Sequence, residues 1–195
     1  MMQIVDNLEL RKEIKIQNVV CTADLKQRVD IKSFNNYKYL RTNMSLYPCG
    51  YFKDDSMVGQ VTVFSTGKLI SVGTKSVKQA FFELQRTGTI LKKYGLIRSF
   101  KITPKVINVV ARFNLERKMP LEILARVMPK AMYEPDQFPA LIFRILNSRV
   151  ALIFASGKGM LLGAKSIAEL NEGLYTIEQW TDQRSYLNRN KFVKE

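Results

Sequence analysis

The sequence predicts an α+β protein made of two tandem, similar halves whose antiparallel strands form a sheet with helices on one face. Three observations predict this fold class. The phrase VFSTGKLISVGTKS at 63–76 returns ninety positions later as IFASGKGMLLGAKS at 153–166. The phrases QNVVCTADL at 17–25 and INVVARFNL at 107–115 have the same offset. In each half, apolar runs separated by turn residues precede a helical pattern, so one supersecondary unit is present twice.

Identical residues recur at ten positions within these phrases. The pairs are Asn18/Asn108, Val19/Val109, Val20/Val110, Leu25/Leu115, Phe64/Phe154, Gly67/Gly157, Lys68/Lys158, Gly73/Gly163, Lys75/Lys165 and Ser76/Ser166. Two separate blocks with one offset are hard to obtain by chance. We therefore predict an N-terminal segment at 1–13, a first repeat at 14–98, a second repeat at 104–188 and a short C-terminal tail at 189–195.

The elements follow the same order in both halves. A β-branched apolar run, IKIQNVVCT at 14–22 or KVINVVARF at 105–113, favours a first strand. Short helices are expected from Ile31 and from Leu121, since Pro120 suits a first helical position. Three apolar runs then predict an antiparallel meander with hairpin turns at STGK and ASGK. These runs are YPCGYF, GQVTVFS and GKLISVG, then FPALIFRIL, RVALIFAS and GKGMLLG.

A long helix is expected after each meander, with Ser76 or Ser166 as its N-cap. The predicted apolar stripes are Val77, Phe81, Leu84, Leu91 and Tyr94, and Ile167, Leu170, Leu174, Ile177 and Thr181. Because side chains alternate along a strand, these helices cover only one set of strand residues. The other set is apolar, which indicates a binding surface. Its members are Val20, Phe64, Ile70, Val72, Val110, Phe154, Met160 and Leu162.

The net charge and the histidine and cysteine content of the chain limit the classes of function that it can have. The 31 Lys and Arg against 17 Asp and Glu give a formal net charge of +14, which favours nucleic acid, ahead of a membrane surface, as partner. No histidine is present, so histidine triads and most zinc sites are excluded. The isolated Cys21 and Cys49 are expected to be buried thiols, and we expect no metal and no cofactor.

The N-terminus is charged where a signal peptide is apolar, and no apolar run approaches the ~18 residues of a membrane span. We expect a soluble intracellular protein, nuclear in a eukaryote and in the nucleoid-containing cytoplasm of an archaeon.

No catalytic constellation is evident. The SGK and GTKS phrases lack the spacing G-x-x-x-x-G-K-[ST] and join strand to strand, which argues against a phosphate-binding loop. Asp54 and Asp55 are expected in a solvated turn rather than as paired catalytic carboxylates. The sequence therefore predicts a binding protein and not an enzyme.

Several phrases resemble the core domain of the TATA-box-binding protein family: YEPDQFPALIFRI at 133–145, ALIFASGKGMLLGAKS at 151–166 and the duplicated NVV. The resemblance covers nearly the whole chain in two repeats and is closer in the second. It implies a saddle of pseudo-two-fold symmetry whose concave apolar sheet lies in the DNA minor groove, with aromatic wedges that kink the duplex.

The resemblance implies four wedge residues, Phe138 and Phe154 in the second half and Tyr47 and Phe64 in the first. The position of Tyr47 rests on aligning YPCGYF with FPALIF. Where the family has phenylalanine, this chain has a phenol, and burying its hydroxyl unpaired costs on the order of 1–3 kcal/mol unless it reaches a phosphate or water.

The implied groove floor centres on two amides that donate to the minor-groove acceptors of A·T pairs. Its residues are Asn18, Val20, Thr62, Ile70, Val72, Asn108, Val110, Leu152, Met160 and Leu162. Val72 and Leu162 replace family threonines, and Thr62 replaces a leucine. Two polar groove contacts are therefore absent, which leaves strict TATA preference open.

The resemblance also implies contacts around the groove. The phosphate-contacting positions are Lys53, Lys68, Lys75, Arg144, Lys158 and Lys165. The second loop carries Glu134 and Asp136, where the family contacts transcription factor B. Gln137 replaces a leucine there, which is expected to weaken that contact.

Two functions remain in competition. The first is a general transcription initiation factor that binds A·T-rich promoter DNA, bends it and recruits a factor-B-like protein and RNA polymerase. The second is a divergent paralogue that acts as a protein-interaction module with weak or altered DNA preference; Tyr47, Val72 and Leu162 favour it. A homodimer that covers the apolar face in the absence of DNA is also open.

Overall fold

The computed structural model describes residues 9–45, 47–183 and 186–187. The predicted C-terminal tail lies outside these residues, as do the first eight residues of the predicted N-terminal segment. The chain divides into two compact units. One is Gln17–Asn108, and the other combines the segment up to Ile16 with the chain from Val109 onward.

The first repeat folds into five strands, a short 3-10 helix and a long helix: β1 Ile14–Asp24, the 3-10 helix Phe34–Asn36, β2 Leu40–Thr42, β3 Cys49–Phe52, β4 Gln60–Phe64, β5 Lys68–Thr74 and α1 Val77–Lys93. Its antiparallel strand order is β2-β3-β4-β5-β1. Helix α1 packs against β5 and β4.

The second repeat has the same design: β6 Lys105–Asn114, α2 Leu121–Val127, β7 Ala131–Met132, β8 Ala140–Arg144, β9 Val150–Phe154, β10 Lys158–Ala164 and α3 Ile167–Thr181. Its antiparallel order is β6-β10-β9-β8-β7. Helix α3 packs against β10. The predicted α+β fold with two similar repeats is confirmed.

Local predictions differ from the structure in three places. The helix expected from Ile31 is only the 3-10 helix, because Asp30 organises a turn in which its carboxylate accepts from Lys32 N at 3.0 Å. Helix α2 begins at Leu121 as predicted, but Pro120 is its N-cap and not its first helical residue. Strands β2 and β7 were not predicted, since three and two residues are too few to show alternation.

The two hairpin turns form as expected. Gly67 and Gly157 have φ of +92° and +83°, a conformation that disfavours any side chain. Their N–H groups donate to the carbonyls of Phe64 and Phe154, both at 2.9 Å. A Cβ on Gly67 would also collide with the carbonyl of Gln27, so glycine is required for the close approach of that backbone.

Both predicted N-caps are confirmed. The hydroxyls of Ser76 and Ser166 accept from the N–H groups of Gln79 and Glu169, each at 3.1 Å. These bonds satisfy one of the free donors at the start of each long helix.

The apolar stripe of α3 is confirmed at four positions, and that of α1 at two. Ile167, Val77, Phe81 and Tyr94 are only partly buried. In α1 the polar Glu83 and Thr87 are buried instead. Thr87 satisfies its hydroxyl by donating to the carbonyl of Glu83 at 2.7 Å.

Glu83 fixes α1 to the turn before β4. Its fully buried carboxylate accepts from the N–H groups of Val58 and Gly59, each at 2.9 Å. Ser71 and Gln79 also donate to it, at 3.3 and 3.2 Å. A buried charge is stable only when it is paired or hydrogen-bonded, as this one is.

In the second repeat, a buried arginine and not a buried glutamate links the long helix to the turn before the equivalent strand. Arg149, which corresponds to Gly59 at the ninety-residue offset, is 1% exposed. Its guanidinium donates to the carbonyl of Glu169 at 2.8 Å and to the carboxylate of Glu172 at 2.9 Å. Gly173 stands where the first repeat has Glu83, and a Cβ there would press on Leu161.

The prediction of a solvated turn is wrong for Asp54 and right for Asp55, which is exposed. Asp54 is 5% exposed and pairs with Arg86 Nε at 2.9 Å. Burial works to raise the pKa of Asp54, but hydrogen bonds from Ser56 and Arg86 outweigh it and lower the pKa. The carboxylate therefore ties the β3–β4 connection to α1.

Cys21 and Cys49 are buried free thiols, as expected, and burial raises the pKa of Cys21 to about 11. Across the described ranges, no helix is long and apolar enough to cross a membrane. Within the same residues, no cluster of acidic or cysteine side chains is arranged to hold a metal ion.

Candidate nucleic-acid interface

In the first repeat, the sheet face opposite α1 is a continuous row of partly exposed residues. Cross-strand pairing joins Thr22 to Ile70, Ile70 to Thr62, and Thr62 to Tyr51. Val72 flanks this row and is 37% exposed. The alternating neighbours of these residues are buried on the helix side, so the first-repeat open face carries the predicted floor residues.

The second repeat presents the equivalent face. Pairing joins Arg112 to Met160, Met160 to Leu152, and Leu152 to Ile142. The next row contains Leu162, which pairs with Val150. The remaining predicted floor residues Val20 and Val110 are half-buried and alternate with the buried Val19 and with Val109 and Ala111.

The side-chain amide of Asn18 is fixed through a hydrogen bond to its oxygen atom. Its Oδ1 accepts from Gly73 N at 2.8 Å, which leaves the two amide hydrogens on Nδ2 as donors. The N3 and O2 atoms of A·T pairs are acceptors in the minor groove. Asn108 occupies the corresponding position in the second repeat and is half-buried.

The structure brings two of the four predicted wedges together. The Phe138 and Phe154 rings lie 6.3 Å apart between centroids at 60°, an edge-to-face pair in which each ring orients the other. Phe138 remains 39% exposed. In the first repeat Phe64 is half-buried and Tyr47 is 54% exposed in the β2–β3 loop.

The six predicted phosphate-contacting residues, Lys53, Lys68, Lys75, Arg144, Lys158 and Lys165, are all exposed. Within the described part of the chain none of their side chains is in an ion pair. The ammonium of Lys53 donates to the carbonyl of Val58 at 3.3 Å. These cations are therefore available to an external anion.

The predicted partner-binding residues lie on the loop between β7 and β8. The carbonyl of Glu134 accepts from Gln137 N at 3.0 Å and Phe138 N at 2.9 Å, which forms a compact turn. Glu134, Asp136 and Gln137 are all exposed. The loop thus presents two carboxylates and one amide beside the wedge Phe138.

Four residues of the open faces were missed from the sequence, Thr22, Tyr51, Arg112 and Ile142, and Arg112 and Tyr51 are the two with a charged or aromatic side chain. Both follow from strand alternation, because Arg112 is two residues beyond Val110 on β6 and Tyr51 pairs with Thr62. Arg112 is exposed, and it stands where the first repeat has Thr22. The hydroxyl of Thr22 is already hydrogen-bonded within the protein, since it donates to the carbonyl of Leu69 at 2.8 Å.

These features define a class of protein: a duplicated α+β unit in which each copy presents an uncovered, largely apolar sheet face with basic side chains nearby, a surface typical of nucleic-acid-binding proteins. The family model described as "Transcription factor TFIID (or TATA-binding protein, TBP)" matches residues 13–94 and 103–179. The chain belongs to this family.

Curated relatives match nearly end to end. The TATA-box-binding protein of Cenarchaeum symbiosum (strain A) is 38% identical over 172 residues, covering 87% of this chain and 94% of that protein. The TATA-box-binding protein of Sulfolobus acidocaldarius is 32% identical and covers 89% of each chain. That of Pyrococcus furiosus is 31% identical, over 92% of this chain and 95% of the relative.

A solved structure, Methanococcus jannaschii TBP, superposes with a TM-score of 0.78 at 27% identity, over 88% of this chain and 99% of that one. The family resemblance and the fold class predicted from the sequence are both confirmed.

Proposed function

We propose that the protein is a general transcription initiation factor that binds A·T-rich promoter DNA of the TATA-box type through its open faces, bends it, and recruits a factor-B-like protein and RNA polymerase. The observation that carries this proposal is the uncovered apolar face in each repeat, with the Phe138–Phe154 pair beside one of them. No covalent chemistry is assigned to the chain.

Each group has a physical task in this proposal. The apolar floor residues lie against the minor-groove walls, and Asn18 donates its Nδ2 hydrogens to A·T acceptors. Phe138 and Phe154 insert between bases and unstack them, which kinks the duplex. The six exposed cations contact phosphates and make binding depend steeply on salt.

The turn that contains Glu134 and Asp136 is the proposed contact for the factor-B-like protein. Its exposed carboxylates suit a basic surface on the partner. Gln137 adds a neutral amide where an apolar contact would be stronger, so we expect a looser complex at this position.

The general factor is favoured over the divergent paralogue. The relatives that match this chain over most of both lengths carry the name TATA-box-binding protein. Because those relatives are archaeal, we infer that the protein acts on chromosomal DNA inside the cell.

Competition gel-mobility assays with A·T-rich and G·C-rich duplexes at moderate salt test the proposal. The wild-type protein is expected to prefer the A·T-rich duplex. The double variant Phe138→Ala/Phe154→Ala should lose most of the affinity, while Phe82→Ala, which removes a 47% exposed ring from α1, should retain it. Equal binding to both duplexes, or equal loss in the two variants, would refute the proposed DNA contact.

A further inference from the structure

A second basic site lies at one end of the first-repeat sheet. A cleft of about 430 Å³ opens where β1 and β5 meet the segment that leads into β6. Its lining residues are Thr22, Ala23, Asp24, Lys26, Lys68, Lys101, Thr103 and Lys105. Four lysines against one aspartate give the lining a formal charge of 4 − 1 = +3. We call these residues the lysine cleft.

One of the four lysines is neutralised locally. Asp24 accepts from Lys26 N at 2.8 Å and pairs with Lys26 Nζ at 3.3 Å. That backbone hydrogen bond, followed by the ammonium groups of Lys26 and Lys68, lowers the pKa of Asp24 and keeps it ionised. The other three lysines, all exposed, have no acidic partner among the residues that the structure describes.

Like charges that converge on one concave surface repel each other unless an anion lies between them. Lys68 begins β5, whereas Lys101 and Lys105 lie on the stretch that leads into β6, yet all three line the same cleft. Thr103 adds a neutral hydroxyl, which donates well to phosphate oxygens.

The cleft is continuous with the first-repeat open face. Thr22 belongs to both, since it lines the cleft and pairs with the floor residue Ile70. Lys68 belongs to both as well, because it is a cleft residue and begins the strand that carries Ile70. Phosphates of a duplex bound to the open face would therefore lie next to the cleft.

Among the residues that the structure describes, the second repeat keeps the lysine equivalent to Lys68, which is Lys158, but differs elsewhere in charge. At the ninety-residue offset Glu116 replaces Lys26, Asn114 replaces Asp24 and Phe113 replaces Ala23.

We propose that the lysine cleft binds the phosphodiester backbone of DNA that flanks the A·T-rich core on the first-repeat side. This inference rests on the proposed function. It adds to the groove contacts a contact outside the core that is independent of sequence.

The test compares Lys101→Gln/Lys105→Gln with the control Lys78→Gln/Lys92→Gln, which removes the same charge from exposed positions on α1. Affinity is measured against salt for a long duplex with flanks and for a duplex limited to the core. On the long duplex the cleft variant should lower the slope of log K against log salt by about 0.9 for each lost phosphate contact. On the core duplex the two variants should coincide.

The proposal fails if the cleft variant has the slope of the control on the long duplex. It also fails if DNA binding is unchanged while binding to polyglutamate is lost, because the cleft would then recognise an acidic peptide. The proposed function is tested separately, by measuring whether the wild type and the control variant prefer the A·T-rich duplex. If the wild type and the control keep the A·T preference but the cleft variant has the control's salt slope on the long duplex, only the cleft proposal is overturned.

Discussion

At the residue scale, the two repeats have diverged at single positions on their open faces. Tyr47 is a phenol where the second repeat has the phenylalanine Phe138, and Arg112 is a cation where the first has Thr22. Each difference changes the side chain that would contact a DNA duplex in one repeat and not in the other. Substitutions that restore the other repeat's residue therefore isolate the effect of each change.

Tyr47→Phe is expected to tighten DNA binding by about five-fold or more. A wedge must leave water, and an unpaired hydroxyl costs about 1 kcal/mol or more on burial. The measurement is the equilibrium Kd for an A·T-rich duplex. Tyr175→Phe, at a 58% exposed position on α3, is the matched control and should have no effect. Weaker binding by Tyr47→Phe would mean that the hydroxyl is hydrogen-bonded to DNA.

Arg112→Thr is expected to weaken binding and to reduce the salt slope by about 0.9, since one cation on the open face is lost. Arg126→Thr removes the same charge from an exposed position on α2 and should leave the slope unchanged. The measurement is Kd over a range of salt concentrations. Identical slopes in the two variants would show that Arg112 does not contact a phosphate.

At the scale of elements, each long helix is fixed to its sheet by a buried charge of opposite sign. Glu83 on α1 holds the turn before β4, and Arg149, before β9, holds the start of α3. Side-chain periodicity did not predict either residue, because charged residues usually indicate a solvated face. Glu83 and Arg149 can be buried because the fold places backbone groups that are distant in sequence within hydrogen-bonding distance of their side chains.

Glu83→Ala is expected to lower the free energy of unfolding by about 1–3 kcal/mol, because the buried N–H of Gly59 loses its acceptor; the partly buried N–H of Val58 loses the same acceptor and adds less. Glu83→Gln keeps an acceptor oxygen in nearly the same place and should cost much less. Urea unfolding of both variants measures the difference. Similar losses in the two would contradict the role of Glu83 as an acceptor.

Asp54 makes the free energy of unfolding depend on pH in the acidic range. Its pKa is lowered in the native state, so the unfolded state binds the proton more readily, and stability falls as pH drops from about 4, the unfolded value, through the lower native pKa. Asp54→Asn should remove this part of the pH dependence. Asp55→Asn, at the exposed neighbouring position, should retain it. Unfolding curves at several pH values will show whether the two variants differ.

At the scale of the whole molecule, the fold was predictable because a duplicated phrase, hairpin glycines and serine caps each indicate local geometry independently. The open faces followed from alternation along the strands. Strand alternation alone does not distinguish Arg112 from a solvated charge, because its place on the apolar face depends on its pairing with Met160.

The lysine cleft was not predictable from the sequence. Lys26 and Lys68 are far apart along the chain and become neighbours through the pairing of β1 with β5, and Lys101 reaches the same cleft from the stretch before β6. Strands β2 and β7 were also missed, because hydrogen bonding to their neighbours, rather than side-chain pattern, makes them strands.

The central claim is that the aromatic pair of the second repeat bends A·T-rich DNA. Energy transfer between the labelled ends of such a duplex, at saturating protein, tests it most directly. The wild-type protein should bring the ends closer; Phe154→Ala should lose most of this change, and Lys158→Ala should keep it while flattening the salt dependence of affinity. An end-to-end distance unchanged by the wild-type protein, or equal bending by Phe154→Ala and the wild type, would contradict the claim.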